Sequence, residues 1–301
     1  MLKQHSVQPL VSIIINCYNG EAFLHESIKS ALSQTYKNWE IIFWDNRSTD
    51  QSAKIFKSYN DKRFNYYYAP RHTFLYEARN EAIKKSKGDF IAFLDVDDLW
   101  NENKLELQMP LFRDSKVGVV YGNLYIINEK LNTKKIFLKR KKPRGFILDD
   151  LLKDYCTQLV TLVIRKSFLN NYQPAFNFHI IGDFDLMIRM STKYKFDCVE
   201  KPIASYRIHG KNESLLNKDK QIEELKIWQN LIKEYPVIVN NKNFPEVNIL
   251  TNNIEIVNLI LENKTEQARI KIKKIPNSLK KIKYYIALLL PNNFVKKFIE
   301  F

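Results

Sequence analysis

Three carboxylates stand directly after an apolar run, where their presence needs a chemical reason. Residues 90–94 have the pattern of a buried strand, and Asp95, Asp97 and Asp98 follow it. Carboxylates this close raise each other's pKa unless a cation or a hydrogen-bonding ligand lies beside them. Oxygen ligands on a short turn suit Mg²⁺ or Mn²⁺, and these metals commonly hold phosphates. The structural alternative is that Asp98 caps a helix beginning near Asn101 while the other two face water.

The elements that would position these carboxylates alternate between strand and helix. The hydrophobic pattern predicts strands at 11–16, 40–44, 64–68 and 90–94, and helices at 21–33, 50–58 and 75–85. This alternation predicts a parallel sheet flanked by helices, in which ligands bind outside the carboxyl ends of the strands. Because the polar segments 16–19, 45–46 and 95–98 each follow a strand, we expect them to converge on one crevice.

The remainder of the chain is less regular and then becomes helical. Strands are predicted at 117–121, 134–138 and 161–164, and helices at 148–154, 183–192, 221–234, 247–262, 266–273 and 279–290. We therefore predict a sheet domain over residues 1–215 and a helical C-terminal region over residues 216–301. The expected fold class is α/β, with a mostly parallel sheet flanked by helices and a helical C-terminal appendage.

The chain carries a strong positive charge. Its formal net charge is +15, and many lysines lie in residues 134–144 and 271–297. Nucleic acid or an anionic membrane surface would complement such charge. The basic residues form no recognisable nucleic-acid-binding motif, so we expect no nucleic acid partner. A compositional bias toward Lys, Asn and Ile explains the charge equally well without any partner.

Apolar runs and cysteines bear on the compartment. No run approaches the ~20 apolar residues that span a bilayer, and the polar N-terminus does not resemble a secretory signal. Cys17, Cys156 and Cys198 are odd in number and lack metal-site spacing, a pattern typical of reduced thiols. We expect a cytoplasmic protein, peripheral on the inner face of a bacterial membrane if the basic C-terminus binds lipid.

Two common phosphate-binding loops do not occur in this sequence, since it contains neither Gly-x-Gly-x-x-Gly nor Gly-x-x-x-x-Gly-Lys-Ser/Thr. A sheet domain of this kind, with Asp-x-Asp after its fourth strand, resembles the nucleotide-sugar domain of family 2 glycosyltransferases, which has the GT-A fold. Four further segments carry the resemblance in order: LVSIIINCYN at 10–19, SIKSALSQTY at 27–36, WDNRSTD at 44–50 and EARN at 77–80. The resemblance extends from residue 10 to about residue 215.

The resemblance implies a nucleotide-sugar site in the first half of the chain. By that match Asp45 accepts the ring N–H of a uracil or thymine base, although it can instead cap the following turn. Asn46 and Arg47 stand where the family commonly has Asp and Gly, and Arg47 can contact phosphate, close the site or change which base is accepted. The other implied contacts to the nucleotide sugar are Asn16, Tyr18, Asn19, Arg79, Asp95, Val96 and Arg207.

The Asp-x-Asp segment carries the implied metal site. The resemblance assigns Asp95 to the ribose and Asp97 to a divalent cation, Mn²⁺ or Mg²⁺. Such a cation bridges the two phosphates and stabilises the departing diphosphate. Arg79 is expected near the nucleotide, and the alternative is a surface arginine that pairs with Glu77 or Glu81.

A transferase of this kind also needs a base for the acceptor hydroxyl. The segment GDFDLMIR at 182–189 resembles the family's Glu-Asp-x-x-Leu-x-x-Arg and thereby implies Asp183 as that base. Gly182 replaces the family's Glu and is expected to leave room for the acceptor. Asp185 is the competing carboxylate, although its position suits capping or orienting the helix.

The segment YRIH at 206–209 resembles the family's Tyr-Arg-x-His. His209 is therefore a candidate third metal ligand or diphosphate contact, with Arg207 nearby. The alternative is that His209 is structural or simply exposed, as an isolated histidine in a loop usually is.

The family resemblance implies an inverting glycosyltransferase. It would move a sugar from a nucleotide-diphosphate donor, most readily a UDP-sugar, to a hydroxyl of a saccharide or lipid-linked saccharide in bacterial surface polysaccharide, lipopolysaccharide or glycan assembly. The alternative is a noncatalytic nucleotide-binding or membrane-associated scaffold of the same fold. Residues 279–301 interleave lysines with apolar residues and are expected to lie on anionic lipid, to pack on the sheet domain or to form a dimer contact.

Overall fold

The computed structural model describes residues 8–128, 130, 132–172, 178–276, 278–290 and 294–295. Contacts between residues divide the chain into two compact units. The first, residues 1–151 and 155–210, is called the sheet unit below, and the second, residues 152–154 and 211–301, the helical unit.

The sheet unit is built on one sheet. Its strands are β1 (Val11–Cys17), β2 (Trp39–Asp45), β3 (Phe64–Tyr68), β4 (Phe90–Phe93), β5 (Leu99–Trp100), β6 (Val117–Asn128), β7 (Thr133–Ile136), β8 (Val163–Arg165) and β9 (Lys195–Ile208). Their order is β3-β2-β1-β4-β8-β6-β9-β5, with β7 paired to β6. The first four strands in this order are parallel, β8 is antiparallel to both its neighbours, and β9 is parallel to β6.

Helices flank this sheet, which confirms the expected fold class. They are α1 (Leu24–Leu32), α2 (Ser52–Lys57), α3 (Leu75–Lys85), α4 (Lys104–Gln108), α5 (Leu148–Lys153), α6 (Lys166–Leu169) and α7 (Gly182–Ser191). All seven residues of β1 and of β2 are buried, which explains their near-continuous apolar sequences. Alternate residues of β1, including Ile13 and Ile15, pack in one hydrophobic core with Leu24 and Ile28 of α1.

The strand β9 is the largest difference from the sequence-based expectation, which placed no strand between residues 192 and 209. It pairs with β6 over most of its length and with β5 through Leu99 and Ser205. Pro202 argues against a central strand, because proline cannot donate to the ladder. In the structure the register shifts beside Pro202, where Gly122 and Asn123 of β6 face Val199 and Pro202. The strand therefore accommodates the proline at an irregularity.

The helical unit contains α8 (Glu213–Leu216), α9 (Lys218–Leu231), α10 (Pro236–Val239), α11 (Pro245–Leu261), α12 (Thr265–Lys274) and α13 (Leu279–Ala287). Its helices α11 to α13 share a small core that includes Ile256, Ile260, Ile272 and Tyr284. Within the described ranges, every helix is too short or too polar to cross a membrane. Lys296, Lys297 and Phe301 of the basic C-terminal segment lie outside the described residues.

Candidate active site

Three polar loops leave the same edge of the sheet. The strand β1 lies between β2 and β4 and is parallel to both, with Cys17 opposite Asp45 and Ile14 opposite Phe93. The carboxyl ends of β1, β2 and β4 are therefore adjacent, and two strand spacings separate β2 from β4 by roughly 10 Å. The expected convergence of the segments 16–19, 45–46 and 95–98 is observed at the level of the backbone.

Asp45 ends β2 in a fully buried position. Its Oδ1 accepts a hydrogen bond from the Ser48 amide at 2.7 Å, and its Oδ2 accepts one from the Tyr66 hydroxyl at 2.7 Å. Burial, followed by the neighbouring Asp45, raises the pKa of Tyr66, so this hydroxyl stays a donor. The turn-capping alternative is thus present in the structure, and recognition of a base by Asp45 stays a prediction.

The carboxyl end of β1 and the loop that follows it, residues 16–19, contain several polar and aromatic side chains that were expected to contact the nucleotide sugar. Asn16 is buried, and neither its amide nitrogen nor its amide oxygen has a hydrogen-bond partner. A buried polar group left unpaired costs about 1–3 kcal/mol, so this position favours a bound ligand or water. Tyr18 is exposed, and its ring lies 4.3 Å from the ring of His72. Asn19 has a positive φ of 54°, and its Oδ1 accepts from the Thr49 amide at 2.8 Å.

Asn46 and Arg47, where the sequence departs from the family pattern, both stabilise loops. Asn46 donates from Nδ2 to the Thr73 carbonyl and accepts at Oδ1 from the Thr73 amide. Arg47 has a positive φ of 73°, and its guanidinium lies 4.8 Å from the centre of the Tyr68 ring. A contact between Arg47 and phosphate stays a prediction.

Arg79 lies beneath the surface and joins the Asp-x-Asp segment. Only 2% of its side chain is exposed, and its Nη2 donates to Asp95 Oδ1 at 2.5 Å. The alternative of a surface ion pair is wrong, because Glu77 pairs with Arg71 and Glu81 pairs with Lys84. Arg79 therefore orients the Asp95 carboxylate, and the contact of either residue with a nucleotide stays a prediction.

The second carboxylate of the Asp-x-Asp segment meets His209. Asp97 Oδ2 lies 2.8 Å from His209 Nε2. Burial and the charge of Asp95 raise the pKa of Asp97, whereas the contact with His209 lowers it. The Val96 side chain lies against Gly20, where an added Cβ would be only 2.9 Å from Val96 Cγ2, and its contact with a nucleotide sugar stays a prediction.

Asp98 does not cap the following helix, so that structural alternative is wrong. Its Oδ1 accepts from the Arg207 amide at 3.1 Å, which attaches the turn to β9. Burial, then the charges of Asp97 and Asp95, raise the pKa of Asp98 well above its usual range. The Arg207 guanidinium donates to the Asp97 carbonyl at 3.0 Å and to Glu26 at 2.7 Å. It orders this turn, and its contact with a nucleotide stays a prediction.

The two carboxylates of α7 have different environments. Asp185 is buried, and Arg189 donates from Nε and Nη2 to its two oxygens at 2.9 and 2.6 Å. Asp183 is partly exposed and accepts at Oδ1 from the Tyr76 hydroxyl at 3.1 Å. Burial raises the pKa of Asp183, while Arg79 and Tyr76 lower it. Asp183 is therefore the carboxylate available to a substrate.

The space at Gly182 is already filled, so the expectation that it leaves room for the acceptor is wrong. A Cβ at Gly182 would lie 2.7 to 2.9 Å from three ring atoms of Tyr76. Tyr76 is the neighbour of Asp183 that the sequence interpretation missed. The available signals were its position directly before the EARN segment and the loss of the family's Glu at residue 182.

The protein side chains at this site supply only some of the ligands that a divalent cation needs. Within the portion of the chain that the structure covers, no three His, Cys, Asp or Glu side chains converge as metal ligands. Asp97 and His209 supply one carboxylate and one imidazole side by side. Mg²⁺ is often held by one or two carboxylates together with substrate phosphates, so this donor set suits a cation that binds with a diphosphate.

Comparison with known proteins places the chain in a family. The model of "Glycosyl transferase family 2" matches residues 12–175, more than half of the chain. The Escherichia coli protein named UDP-Glc:alpha-D-GlcNAc-diphosphoundecaprenol beta-1,3-glucosyltransferase WfgD is 36% identical over 167 residues. These residues are 56% of this chain and 64% of that protein, so the match spans less than two thirds of the relative's length.

Two solved structures share the fold at low sequence identity. TarS residues 1–349 of S. aureus in complex with UDP has a TM-score of 0.62 and 17% identity, over 93% of this chain and 78% of that one. The mannosyltransferase PcManGT of Pyrobaculum calidifontis, in complex with GDP-Man and Mn²⁺, has a TM-score of 0.64 and 12% identity, over 98% of this chain and 86% of that one. With the family match, the sheet and the acidic edge, they support one conclusion: this chain belongs to glycosyl transferase family 2 and has the GT-A fold.

Proposed function

We propose that this protein is an inverting, metal-dependent glycosyltransferase that moves a sugar from a UDP-sugar to a hydroxyl of a saccharide acceptor. One observation carries the proposal. A continuous series of contacts joins Asp183 through Tyr76 and Arg79 to Asp95. A base candidate and a donor-binding candidate from distant parts of the chain are thus held together at the carboxyl edge of the sheet, where this class of fold binds ligands.

The uridine diphosphate donor is supported by chemistry and by relatives. A carboxylate at Asp45 suits the ring N–H of uracil as a hydrogen-bond donor, and Asn16 offers an unpaired amide nearby on β1. The name of WfgD includes UDP-Glc, and TarS was solved with UDP. Tyr18, exposed beside His72, supplies an aromatic surface at the same edge.

Asp97 and His209 would hold a Mn²⁺ or Mg²⁺ ion together with the diphosphate of the donor. When bound, the cation supplies positive charge that stabilises the departing diphosphate. The positive charge of Arg79 pairs with Asp95 and restrains that carboxylate for the ribose. The two carboxylates of the Asp-x-Asp segment thus have separate tasks in the proposed site.

Asp183 would act as the base for the acceptor. Its carboxylate takes the proton of the acceptor hydroxyl as that oxygen attacks the anomeric carbon from the face opposite the diphosphate. One displacement inverts the anomeric centre and needs no covalent intermediate on the protein. Burial raises the pKa of Asp183, which makes it a stronger base than an exposed carboxylate.

The acceptor is proposed to be a lipid-linked saccharide of bacterial glycan assembly. The name of WfgD contains the lipid-linked acceptor alpha-D-GlcNAc-diphosphoundecaprenol. A Bacillus subtilis relative named putative teichuronic acid biosynthesis glycosyltransferase TuaG, 29% identical over 161 residues, supports the same general process. We infer that this chain extends such a glycan at a membrane surface.

The direct test of this function is an Asp183→Asn variant assayed for transfer. UDP-glucose, UDP-galactose and UDP-N-acetylglucosamine are incubated with Mn²⁺ and alpha-D-GlcNAc-diphosphoundecaprenol, and UDP release is measured. We expect the variant to keep donor binding and to lose about 10²–10⁴-fold in kcat. Asp89→Asn is the control, since exposed Asp89 precedes β4 at the opposite end of the strand from Asp95. Full activity of Asp183→Asn would show that a residue other than Asp183 is the base.

A membrane contact is proposed for α13. Its residues Tyr284 and Ala287 are buried, whereas Leu279, Ile282 and Ile286 are 87%, 56% and 43% exposed. At about 100° per residue, the exposed residues form one apolar stripe on the side away from the buried pair.

Charge indicates what covers this stripe. At the same 100° spacing, Lys283 borders the stripe beside Leu279. Residues 267–299 contain nine basic and no acidic side chains. Each basic residue near an anionic membrane contributes about 1 kcal/mol. Anionic lipid therefore fits this helix better than a second copy of the same basic segment, and we propose that the protein is peripheral on the inner face of a bacterial membrane.

Vesicle sedimentation tests this contact. We expect the full chain to sediment with phosphatidylglycerol vesicles and not with phosphatidylcholine vesicles at low salt. Replacing Ile282 and Ile286 with serine should reduce the bound fraction at least several-fold. The control replaces Ile249 and Leu250 of α11, which are also exposed but lie in a less basic segment. Equal sedimentation of both variants, or a dimer lost only in the α13 variant, would contradict the proposal.

A further inference from the structure

Tyr76 contacts the first turn of α7 with both its ring and its hydroxyl. The hydroxyl donates to Asp183 Oδ1 at 3.1 Å. The ring lies so close to Gly182 that a Cβ there would be 2.7 Å from its nearest atom. Real Cβ contacts do not approach this distance, so the ring can occupy this position only because residue 182 is glycine. The two residues form a matched pair.

The same ring also contacts the arginine that pairs with Asp95. The guanidinium of Arg79 lies 4.6 Å from the centre of the Tyr76 ring, and the same guanidinium holds Asp95 at 2.5 Å. Residues three apart on a helix lie on the same face, which accounts for the contact between Tyr76 and Arg79. Tyr76 is 5% exposed and Arg79 is 2% exposed. Side chains packed this closely have few alternative rotamers.

The charges around Asp183 set its ionisation. Burial raises its pKa, and Arg79 and then Tyr76 lower it. Tyr155 also faces Asp183 and has a raised pKa through burial. Burial likewise raises the pKa of Tyr76. The Tyr76 hydroxyl is therefore protonated at neutral pH and acts as a hydrogen-bond donor to the carboxylate, never as a competing anion.

We propose that Tyr76 is a positioning residue: its hydroxyl orients the Asp183 carboxylate, and its ring fixes the first turn of α7 against the Arg79–Asp95 pair of the donor site. This inference rests on the proposed function, in which Asp183 is the base. Tyr76 transfers no proton itself. Its hydroxyl favours the ionised form of the base, and its ring holds the turn that carries the base beside the Arg79–Asp95 pair. Gly182, which stands where the family commonly has Glu, leaves the space that the Tyr76 ring occupies.

The pKa of Asp183 can be measured without any turnover. In protein labelled with ¹³C at aspartate carboxyl carbons, the Asp183 resonance is identified by its absence in Asp183→Asn and is then titrated. Tyr76→Phe keeps the ring on Gly182 and removes only the hydroxyl. Loss of one hydrogen bond to the carboxylate should raise the pKa of Asp183 by about half to one unit. Tyr59→Phe is the control, since its hydroxyl bonds to His25 and not to an acid.

A second variant tests the ring contact. Gly182→Ala retains the hydroxyl but forces the ring away, and it should raise the pKa of Asp183 in the same direction. An unchanged pKa in both variants would overturn the positioning role, whatever the protein catalyses.

The activity profile separates this inference from the proposed function. If the wild type is active, the acid limb of its plot of kcat against pH should shift to higher pH in Tyr76→Phe, by the same amount as the pKa of Asp183. The KM for the UDP-sugar should change less than about twofold. If the pKa shift is found but the wild type transfers no sugar, the proposed function fails and the contact between Tyr76 and Asp183 stands. If transfer is found and neither the pKa nor the acid limb shifts, the positioning role fails alone.

Discussion

At the scale of single residues, burial and pairing separate carboxylates that the sequence presents as near neighbours. Asp183 and Asp185 both lie in the first turn of α7. Two hydrogen bonds from Arg189 fix Asp185 inside the protein, whereas the Tyr76 hydroxyl bonds to the more exposed Asp183. The first arrangement is that of a structural ion pair, and the second leaves a carboxylate accessible to solvent and substrate.

This difference predicts that two similar substitutions change stability by different amounts. Asp185→Asn removes the carboxylate charge that two hydrogen bonds join to the buried Arg189, and it should lower the free energy of unfolding by about 3 kcal/mol. Asp183→Asn removes a carboxylate whose charged form is disfavoured by burial, so it should change that free energy by less than about 1 kcal/mol. Urea denaturation followed by circular dichroism compares the two. Equal losses would mean that both carboxylates are structural.

Residue types could be read from the sequence more reliably than their partners. The carboxylates Asp95 and Asp97 were identifiable because charge after an apolar strand is unusual. The burial of Arg79 and the contact of Tyr76 with Asp183 could not be predicted, because the sequence of a helical segment such as EARN does not show which of its faces packs on the sheet. The contact between Tyr76 and Gly182 depends on residues more than one hundred positions apart, and no local pattern encodes it.

At the scale of elements, the strands that end at the candidate site, β1, β2 and β4, could be predicted from the sequence. The strand β9, which hydrogen-bonds to the turn after β4, could not. The strands β1 to β4 are short apolar runs ended by polar residues, and their parallel pairing follows from the helices between them. The strand β9 is interrupted by the adjacent exposed residues Glu200 and Lys201, which Pro202 follows. Its pairing with β6 compensates for this weak local signal, and tertiary contacts of that kind are invisible to a local pattern.

The missed strand has a direct effect on the site. The carboxyl end of β9 brings the Arg207 amide to Asp98 and His209 to Asp97. The short β5 that follows the Asp-x-Asp segment pairs with the same strand through Ser205. The turn that carries the three carboxylates is therefore held between β4 and β9. The acidic cluster is stable there because each carboxylate meets a donor from another element.

At the scale of the whole molecule, apolar exposure and acidic chemistry are concentrated in different units. Among the described residues, 15 of the 21 large apolar side chains that are exposed lie in the helical unit, between Leu215 and Phe294. The carboxylates of the proposed reaction all lie in the sheet unit. This distribution fits a protein whose helical unit contacts a lipid surface and whose sheet unit carries out transfer, as proposed above.

The central claim is that the acidic carboxyl edge of the sheet binds a nucleotide diphosphate together with a divalent cation. Isothermal titration calorimetry of UDP in the presence and absence of Mn²⁺ tests it most directly, with wild type compared with Asp97→Ala and with the Asp89→Ala control. Wild type and the control should bind UDP at least tenfold more tightly with Mn²⁺, and Asp97→Ala should lose that difference. The account would be contradicted if the wild type bound UDP with the same affinity with and without Mn²⁺. It would also be contradicted if Asp97→Ala kept the full effect of Mn²⁺ on UDP affinity.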